Sequence, residues 1–408
     1  MSQTICILGR QPALGLAELE SLYGSDVIHP VGERAAIVNL PPESINIDRL
    51  GGTIRVAKLL TRLDITNWSG ITDYLVKHVP KHTCCIGPGK LTFGISVYGI
   101  RVNEQKIQHS ALAVKKAVRT SDNRPVRVVP TKVSELSSAQ VLHNNMTQLP
   151  LGMELLLIKD GEQVVLAQTT AIQNITAYAA RDQARPKRDA RIGMLPPKLA
   201  QIILNLATAN TDPSRGAVVL DPFCGTGVIL QEATLMGFDT YGTDIDPRMI
   251  THTDDNLQWL LSQPYCPVQR PKDTPLSTPW HYYRLEQADA TTHRWDPPLN
   301  FIASEAYLGR PFSAMPQPNV LKKVMQDVDT ITEKFLQNVA RQTPIGFRLC
   351  VALPVWYSKD GFIHLKMLDS LEKLGYTRTS FVHADNRDLV YYRDGQIVGR
   401  ELVTLTRK

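Results

Sequence analysis

Asp221, Asp244 and Asp289 each stand at the end of a short run suited to a strand: AVVLD (217–221), TYGTD (240–244) and RLEQAD (284–289). After the first, Pro222, Phe223 and Cys224 lead into Gly225, Thr226 and Gly227. Glycines there let a ligand approach the backbone, and the helix that should follow offers unpaired N–H groups. A fourth stretch, FIASEAY (301–307), ends its apolar run in Ser304, Glu305 and Ala306 before Tyr307. In open α/β sheets, ligands sit beyond the carboxyl ends of the strands. An acid, a glycine loop and two further acids at consecutive strand ends therefore describe a binding edge.

The residue types narrow the ligand. A dinucleotide site asks for Gly-x-Gly-x-x-Gly, and the third position here is Leu230. The Gly-Lys-Ser/Thr of a phosphate loop is absent. An acid placed before the glycines suits a ligand with a cationic amino-acid part. Asp244, with Ile245 beside it, lies about twenty residues past the glycines and can accept both ribose hydroxyls. Asp289, followed by Ala290, can accept from an adenine amino group. Any one strand-end aspartate can equally be a helix cap. In this order the set fits S-adenosylmethionine better than a dinucleotide, and the chemistry is methyl transfer.

Such residues need a frame. Strands at 217–221, 240–244 and 284–289 alternate with helices expected over about 226–236 and 248–261, which argues for a parallel, doubly wound sheet. Pro196-Pro197 is preset to open a helix in GMLPPKLAQIILNLA (193–207). Five prolines in 262–280 predict a surface loop. The end of the chain reads as two strands joined through Asp394-Gly395, a hairpin signal. Before residue 180 the texture is that of two small α+β units. Their strands are at 5–8, 35–40, 90–99, 126–129 and 154–159, and QVVLAQTT follows the turn Asp160-Gly161. Helices are expected around Leu16, Leu19 and Tyr23, stopped by Gly24, and over 110–118.

Composition sets the class. The chain has 408 residues, 43% hydrophobic and 21% charged, as in ordinary globular proteins of two to three domains. Without a run of eighteen apolar residues, no membrane span is expected. The start, MSQTICILGRQP, does not read as a signal peptide. Cys6, Cys84, Cys85, Cys224, Cys266 and Cys350 form neither a CxxC pair nor a zinc spacing, so reduced thiols, no metal and a cytoplasmic location are expected. The net charge of +6 is unevenly spread. Residues 1–198 hold 24 Lys/Arg against 16 Asp/Glu, and residues 199–408 hold 21 against 23. A basic first half suits a polyanionic partner. The stretch RDQARPKRDAR (181–191) offers Arg181, Arg185, Lys187, Arg188 and Arg191 to phosphates. Its bland alternative is a linker whose arginines pair with Asp182, Asp189 and the acids of the sheet. His143, Asn144 and Asn145 form either a polar RNA-facing loop or a helix end. Lys115, Lys116 and Arg119 read as a solvated helix face.

DPFCGTG resembles the first motif of class I methyltransferases that modify amino groups of nucleic-acid bases. Nearly the whole chain is similar to the THUMP-containing tRNA guanosine N2-methyltransferases of the guanosine-10 type, a UPF0020-like family. The likeness is strongest over 181–312 and in YYRDGQIVGREL, and weaker over 1–170. It implies a ferredoxin-like domain over 1–70, a THUMP RNA-binding domain over 71–180 and a Rossmann-like methyltransferase domain over 181–408. By that likeness Asp221, Gly225 and Gly227, with Pro222, Phe223, Cys224 and Thr226, line the methionine and ribose of S-adenosylmethionine. Asp244 and Ile245 take the ribose side, and Asp289 and Ala290 the adenine. The basic stretch at 181–191 would meet RNA, most naturally tRNA.

The family's catalytic motif is Asp/Asn-Pro-Pro-Tyr, and here it reads Ser-Glu-Ala-Tyr. A guanine amino group is a poor nucleophile, so acceptors must hold its hydrogens while an aromatic face fixes the base. Tyr307 occupies the aromatic position. Ser304 falls where Asp or Asn belongs, and Glu305 where the first proline belongs. Either a one-residue shift makes Glu305 the acceptor, or Glu305 only caps or forms a salt bridge. The expected activity is guanine-N2 methylation of tRNA. The alternatives are an rRNA or DNA amino-methyltransferase and a non-catalytic RNA-binding protein that retains the fold. The nucleotide position, the number of methyl groups and any need for a small activator subunit are left open.

Overall fold

The computed structural model describes residues 2–83, 89–188, 194–213, 216–266, 283–312, 314–359 and 361–408. Cys84, Cys85, Arg191 and most of the proline-rich loop lie outside them. The chain divides into two compact units, residues 1–16 with 26–175 and residues 17–25 with 176–408.

The first unit is built on one mixed sheet. Its elements are β1 (Thr4–Leu8), the start of α1 (Pro12–Tyr23), β2 (Ile28–Val31), β3 (Ala35–Val38), β4 (Thr53–Leu63), α2 (Trp68–Thr83), β5 (Leu91–Tyr98), α3 (Glu104–Asp122), β6 (Val126–Val128), α4 (Ser138–His143), β7 (Gly152–Asp160) and β8 (Gln163–Ile172). The strand order is β2-β3-β1-β4-β8-β7-β5-β6. Strand β4 pairs with β8 from Arg55↔Ile172 to Leu63↔Val164, so residues 1–70 and 71–180 share a single sheet. Helix α3 shows why the sequence folds locally as it does. Asn103 caps its first turn by accepting from Lys106 N, and Ile107, Ala111, Val114 and Val118 fall on the buried stripe. Lys116 and Arg119 face solvent. Of the two options for 143–145, the helix end holds: α4 stops at His143, and Asn144 caps it with a side-chain bond to the Gln140 carbonyl.

The second unit carries the sheet on which the site stands. It contains α5 (Ile175–Gln183), α6 (Pro197–Thr208), β9 (Val218–Asp221), α7 (Val228–Leu235), β10 (Asp239–Asp244), α8 (Pro247–Leu261), β11 (Tyr283–Gln287), β12 (Phe301–Glu305), α9 (Pro318–Ala340), β13 (Arg348–Ser358), β14 (Gly361–Ile363), β15 (Tyr376–Arg378), β16 (Val390–Tyr391) and β17 (Val398–Arg407). The order is β11-β10-β9-β12-β13-β17-β15, parallel from β11 to β13, with β17 antiparallel to β13. This is the doubly wound sheet expected from strand–helix alternation. The chain leaves β9 toward β10 and later returns to the other side of β9 with β12, making a switch point between them. The terminal hairpin pairs Val390 with Glu401 and Tyr391 with Arg400. Its second strand does more than expected, because β17 lies inside the sheet between β13 and β15.

In this unit prolines set three helix starts. Pro197 opens α6, Pro247 follows the Asp246 cap of α8, and Pro318 opens α9. Helix α9, absent from the sequence expectations, buries Leu321, Val324, Val328, Phe335 and Val339. These join Leu220, Ile302, Leu349, Val403 and Leu405 of the strands in one core. Among the described residues no helix is long and apolar enough to cross a membrane.

Candidate functional site

Strands β9, β10 and β12 end together at one edge, because Asp221 sits opposite Gly242 and Ile302 opposite Leu220. That register brings Asp221, Asp244 and Glu305 to the carboxyl edge, and Asp289 follows β11 on the same side.

Asp221 is buried and accepts two hydrogen bonds, from Ser304 Oγ at 2.6 Å and from the Phe223 backbone N–H at 3.2 Å. Burial pushes its carboxyl up to about 7, the nearby charges of Asp244 and Glu305 push the same way, and its two hydrogen bonds oppose them. The charges that bear on it are thus negative. Ser304 is fully buried beneath Asp221, so its hydroxyl orients that carboxylate and does not open to the surface.

The loop after Asp221 is held from two sides. Asp244 accepts from Gly225 N with one carboxylate oxygen and from Asp246 N with the other, both at 2.9 Å. Burial raises the Asp244 carboxyl, and those backbone donors counter it. From helix α8, Thr253 Oγ1 donates to the Gly225 carbonyl at 2.8 Å, and Asn256 Nδ2 donates to the Thr226 carbonyl at 2.8 Å. Gly227 has φ +78°, and a Cβ there would lie 2.7 Å from Thr253 Cγ2. This glycine is required twice, by conformation and by space. Gly225, at φ +54°, has no side chain crowding it, and its outer face remains open to a ligand. Pro222 and Cys224 are buried, and Phe223 packs edge-on against Phe335 of α9. Ile245, beside Asp244, is 68% exposed, an apolar surface at the binding edge. Asp289 is exposed and accepts from the Thr291 N–H and hydroxyl, while Ala290 is buried and its carbonyl accepts from Asn338.

Glu305 and Tyr307 diverge. The Glu305 side chain is partly buried, 16% exposed, and takes a 2.5 Å bond from Arg400 Nε on β17. Burial raises its carboxyl, and the Arg400 guanidinium holds it down. Tyr307 is 45% exposed. The edge therefore carries a carboxyl group paired with a guanidinium next to an open aromatic ring.

The basic stretch splits in the same way. Arg181 is buried, forms two bonds with Glu232 of α7 and lies over the Tyr178 ring. Its charge is spent inside the fold, on an acid of a neighbouring helix and neither on RNA nor on the acids the linker alternative named. Arg185 is 2% exposed, and its guanidinium nitrogens have no hydrogen-bond partner among the described residues. Lys187 reaches Asp255 at 3.4 Å, and Arg188 is exposed. Sequence reasoning did not single out Arg400, Thr253 or Asn256. Arg400 had a signal: it breaks the apolar pattern of VGRELVTL.

The donor set fits S-adenosylmethionine. A buried acid with no cation beside it among the described residues suits a sulfonium-bearing amino acid, and the uncrowded face of Gly225 gives close backbone approach. Residues 185–261 match the family described as UPF0020, RMKL-like methyltransferase domain. The tRNA (guanine(10)-N2)-dimethyltransferase of Methanothermobacter thermautotrophicus is 47% identical over 79 residues, which cover 19% of this chain and 22% of that protein. The enzyme of the same name from Methanocaldococcus jannaschii is 38% identical over 100 residues, 23% of this chain and 27% of that protein. The chain thus spans about a quarter of the length of these curated relatives. The crystal structure of TrmN from Thermus thermophilus shares the fold along 100% of both chains, with a TM-score of 0.52 at 17% identity.

Proposed function

We propose that this chain methylates the N2 amino group of a guanine in RNA, most naturally tRNA, with S-adenosylmethionine as methyl donor. The observation that carries the reading is the pair of acids at neighbouring strand ends: Asp221, buried with no cation beside it among the described residues, and Glu305, paired with Arg400 beside the exposed Tyr307.

When bound, the cofactor supplies an electrophilic methyl group. Asp221 and the Gly225–Gly227 backbone hold its amino-acid end, Asp244 its ribose, and Ile245 with Asp289 its adenine. Ser304 is a positioning residue for Asp221. Tyr307 stacks on the flipped guanine, an interaction worth about 1–3 kcal/mol. Glu305 would accept an N–H of the amino group, aim its lone pair, and take the proton that nitrogen loses as the methyl group leaves the sulfonium, whose electron pair stays on the thioether sulfur. A raised carboxyl suits that role. Arg400 opposes the upward push of burial on Glu305 and fixes the orientation of its carboxyl group. Lys187 and Arg188 offer phosphate contacts at the entrance to the domain. The N-terminal unit, read as ferredoxin-like and THUMP domains, would present the RNA.

The test is nucleoside mass analysis after incubation with methyl-labelled S-adenosylmethionine and unmodified tRNA. Wild type should yield N2-methylguanosine. Glu305→Gln, which keeps an acceptor for Arg400, should lose about 10²-fold or more in rate. Label appearing only in rRNA or DNA, or in no nucleic acid while the cofactor still binds, would overturn the tRNA reading.

A further inference from the structure

One side chain joins the glycine loop to the basic stretch. Asn256 of α8 is fully buried. Its Oδ1 accepts from Lys187 N at 2.9 Å, and its Nδ2 donates to Lys187 O at 3.0 Å and to Thr226 O at 2.8 Å. A primary amide has two N–H donors, and here each goes to a different backbone carbonyl. The two bonds to Lys187 copy the pairing of one β-bridge residue, so Lys187 is fixed by its backbone while its ammonium group reaches outward to Asp255. Thr253, one turn earlier on α8, holds the Gly225 carbonyl but does not touch Lys187. From α8 the glycine loop thus has two supports, and of the two only Asn256 also holds the basic stretch among the described residues.

Burying a primary amide without partners costs on the order of a few kcal/mol. All three of these bonds end on backbone that is otherwise irregular, where no helix or strand ladder would keep it in place. Movement of the Thr226 carbonyl must then be felt at Lys187, two residues from Arg185 and one from Arg188. We infer that Asn256 is a positioning residue that couples the cofactor loop to the segment that meets RNA phosphates, so that a bound cofactor sets the backbone at Lys187. The inference rests on the methyltransferase reading of the loop.

The test uses the full chain and S-adenosylhomocysteine. Hydrogen exchange at the Lys187 amide is measured with and without saturating ligand, and calorimetry records binding of the same ligand. In wild type the ligand should slow exchange about fivefold or more, the lower end of ordinary coupling between sites. In Asn256→Ala the amide should exchange fast and ignore the ligand even at saturation. Thr253→Val should keep the response, since it leaves Lys187 untouched. If Asn256→Ala does not fold, Asn256→Ser gives the same contrast, because a hydroxyl has one donor for two carbonyls. A wild-type Lys187 indifferent to bound ligand, or an Asn256 variant that responds as wild type does, would overturn the coupling. Absence of any calorimetric binding would instead sink the methyltransferase reading beneath it.

Discussion

Asp221 is a carboxyl group taken out of water and set near two other acids, with Ser304 and one backbone N–H as its support. Its folded value near 7 lies above the ordinary 3.8, so the folded protein binds a proton that the unfolded chain has released. The sign follows. Stability from this group is fully present below about pH 4 and falls as pH rises toward 7, because there the unfolded state holds fewer protons. Every tenfold gain in proton affinity on folding corresponds to about 1.4 kcal/mol. Asp221→Asn should therefore be more stable than wild type at pH 8, on the order of a few kcal/mol, with the gap closing toward pH 5. Urea unfolding of both proteins across that range measures it. The same variant should lose cofactor affinity, since the acid is retained at a stability cost for the cation it receives. A constant gap across the range would mean that Asp221 is already ionised in the free protein.

Elements place these residues, and they differ in how openly the sequence announces them. Asp246-Pro247 marks the start of α8, and strand–helix alternation announces β9 to β11, because both signals are local in the chain. Leu321, Val324, Val328, Phe335 and Val339 carry the same kind of local signal for α9, which the reading of the sequence passed over. The partner of Glu305 is another matter. Arg400 lies 95 positions away and reaches Glu305 across β13, through a pairing in which Glu305 meets Ala352 and Ala352 meets Leu402. No spacing encodes that contact. The bonds of Asn256 are equally silent, because all of them end on backbone. The glycine loop offers a test at this scale. Gly225 and Gly227 both have positive φ, which costs a non-glycine residue about 1–2 kcal/mol. Only Gly227 also faces Thr253 of α8, with 2.7 Å left for a Cβ. Gly227→Ala should thus be destabilised clearly more than Gly225→Ala in equilibrium urea unfolding. Equal losses would show that α8 yields at Thr253 and does not brace the loop.

At the scale of the whole chain, charge is divided by half. Residues 1–198 carry the entire basic excess, 24 Lys/Arg against 16 Asp/Glu, while the remainder is slightly acidic. Part of that excess is inward, since Arg55, Arg124 and Arg181 are buried. The outward part includes α3, where Lys115, Lys116 and Arg119 line a surface hollow with Leu112, Thr120 and Asn123. A solvated helix face would look the same, but a phosphate backbone seated there would use all three cations. Each phosphate contact adds about 0.9 to the slope of log affinity against log salt on a duplex. Reversing the three charges together, Lys115→Glu, Lys116→Glu and Arg119→Glu, should lower the slope for tRNA binding by about 2 to 3. Cofactor affinity should stay put, because α3 belongs to the first unit and the glycine loop to the second. Fluorescence anisotropy across a salt series reads the slope. An unchanged slope would leave α3 as ordinary solvated surface. On the proposed RNA reading the phosphate contacts would then come from the stretch around Lys187 and Arg188, where the same reversal should show the effect missing at α3.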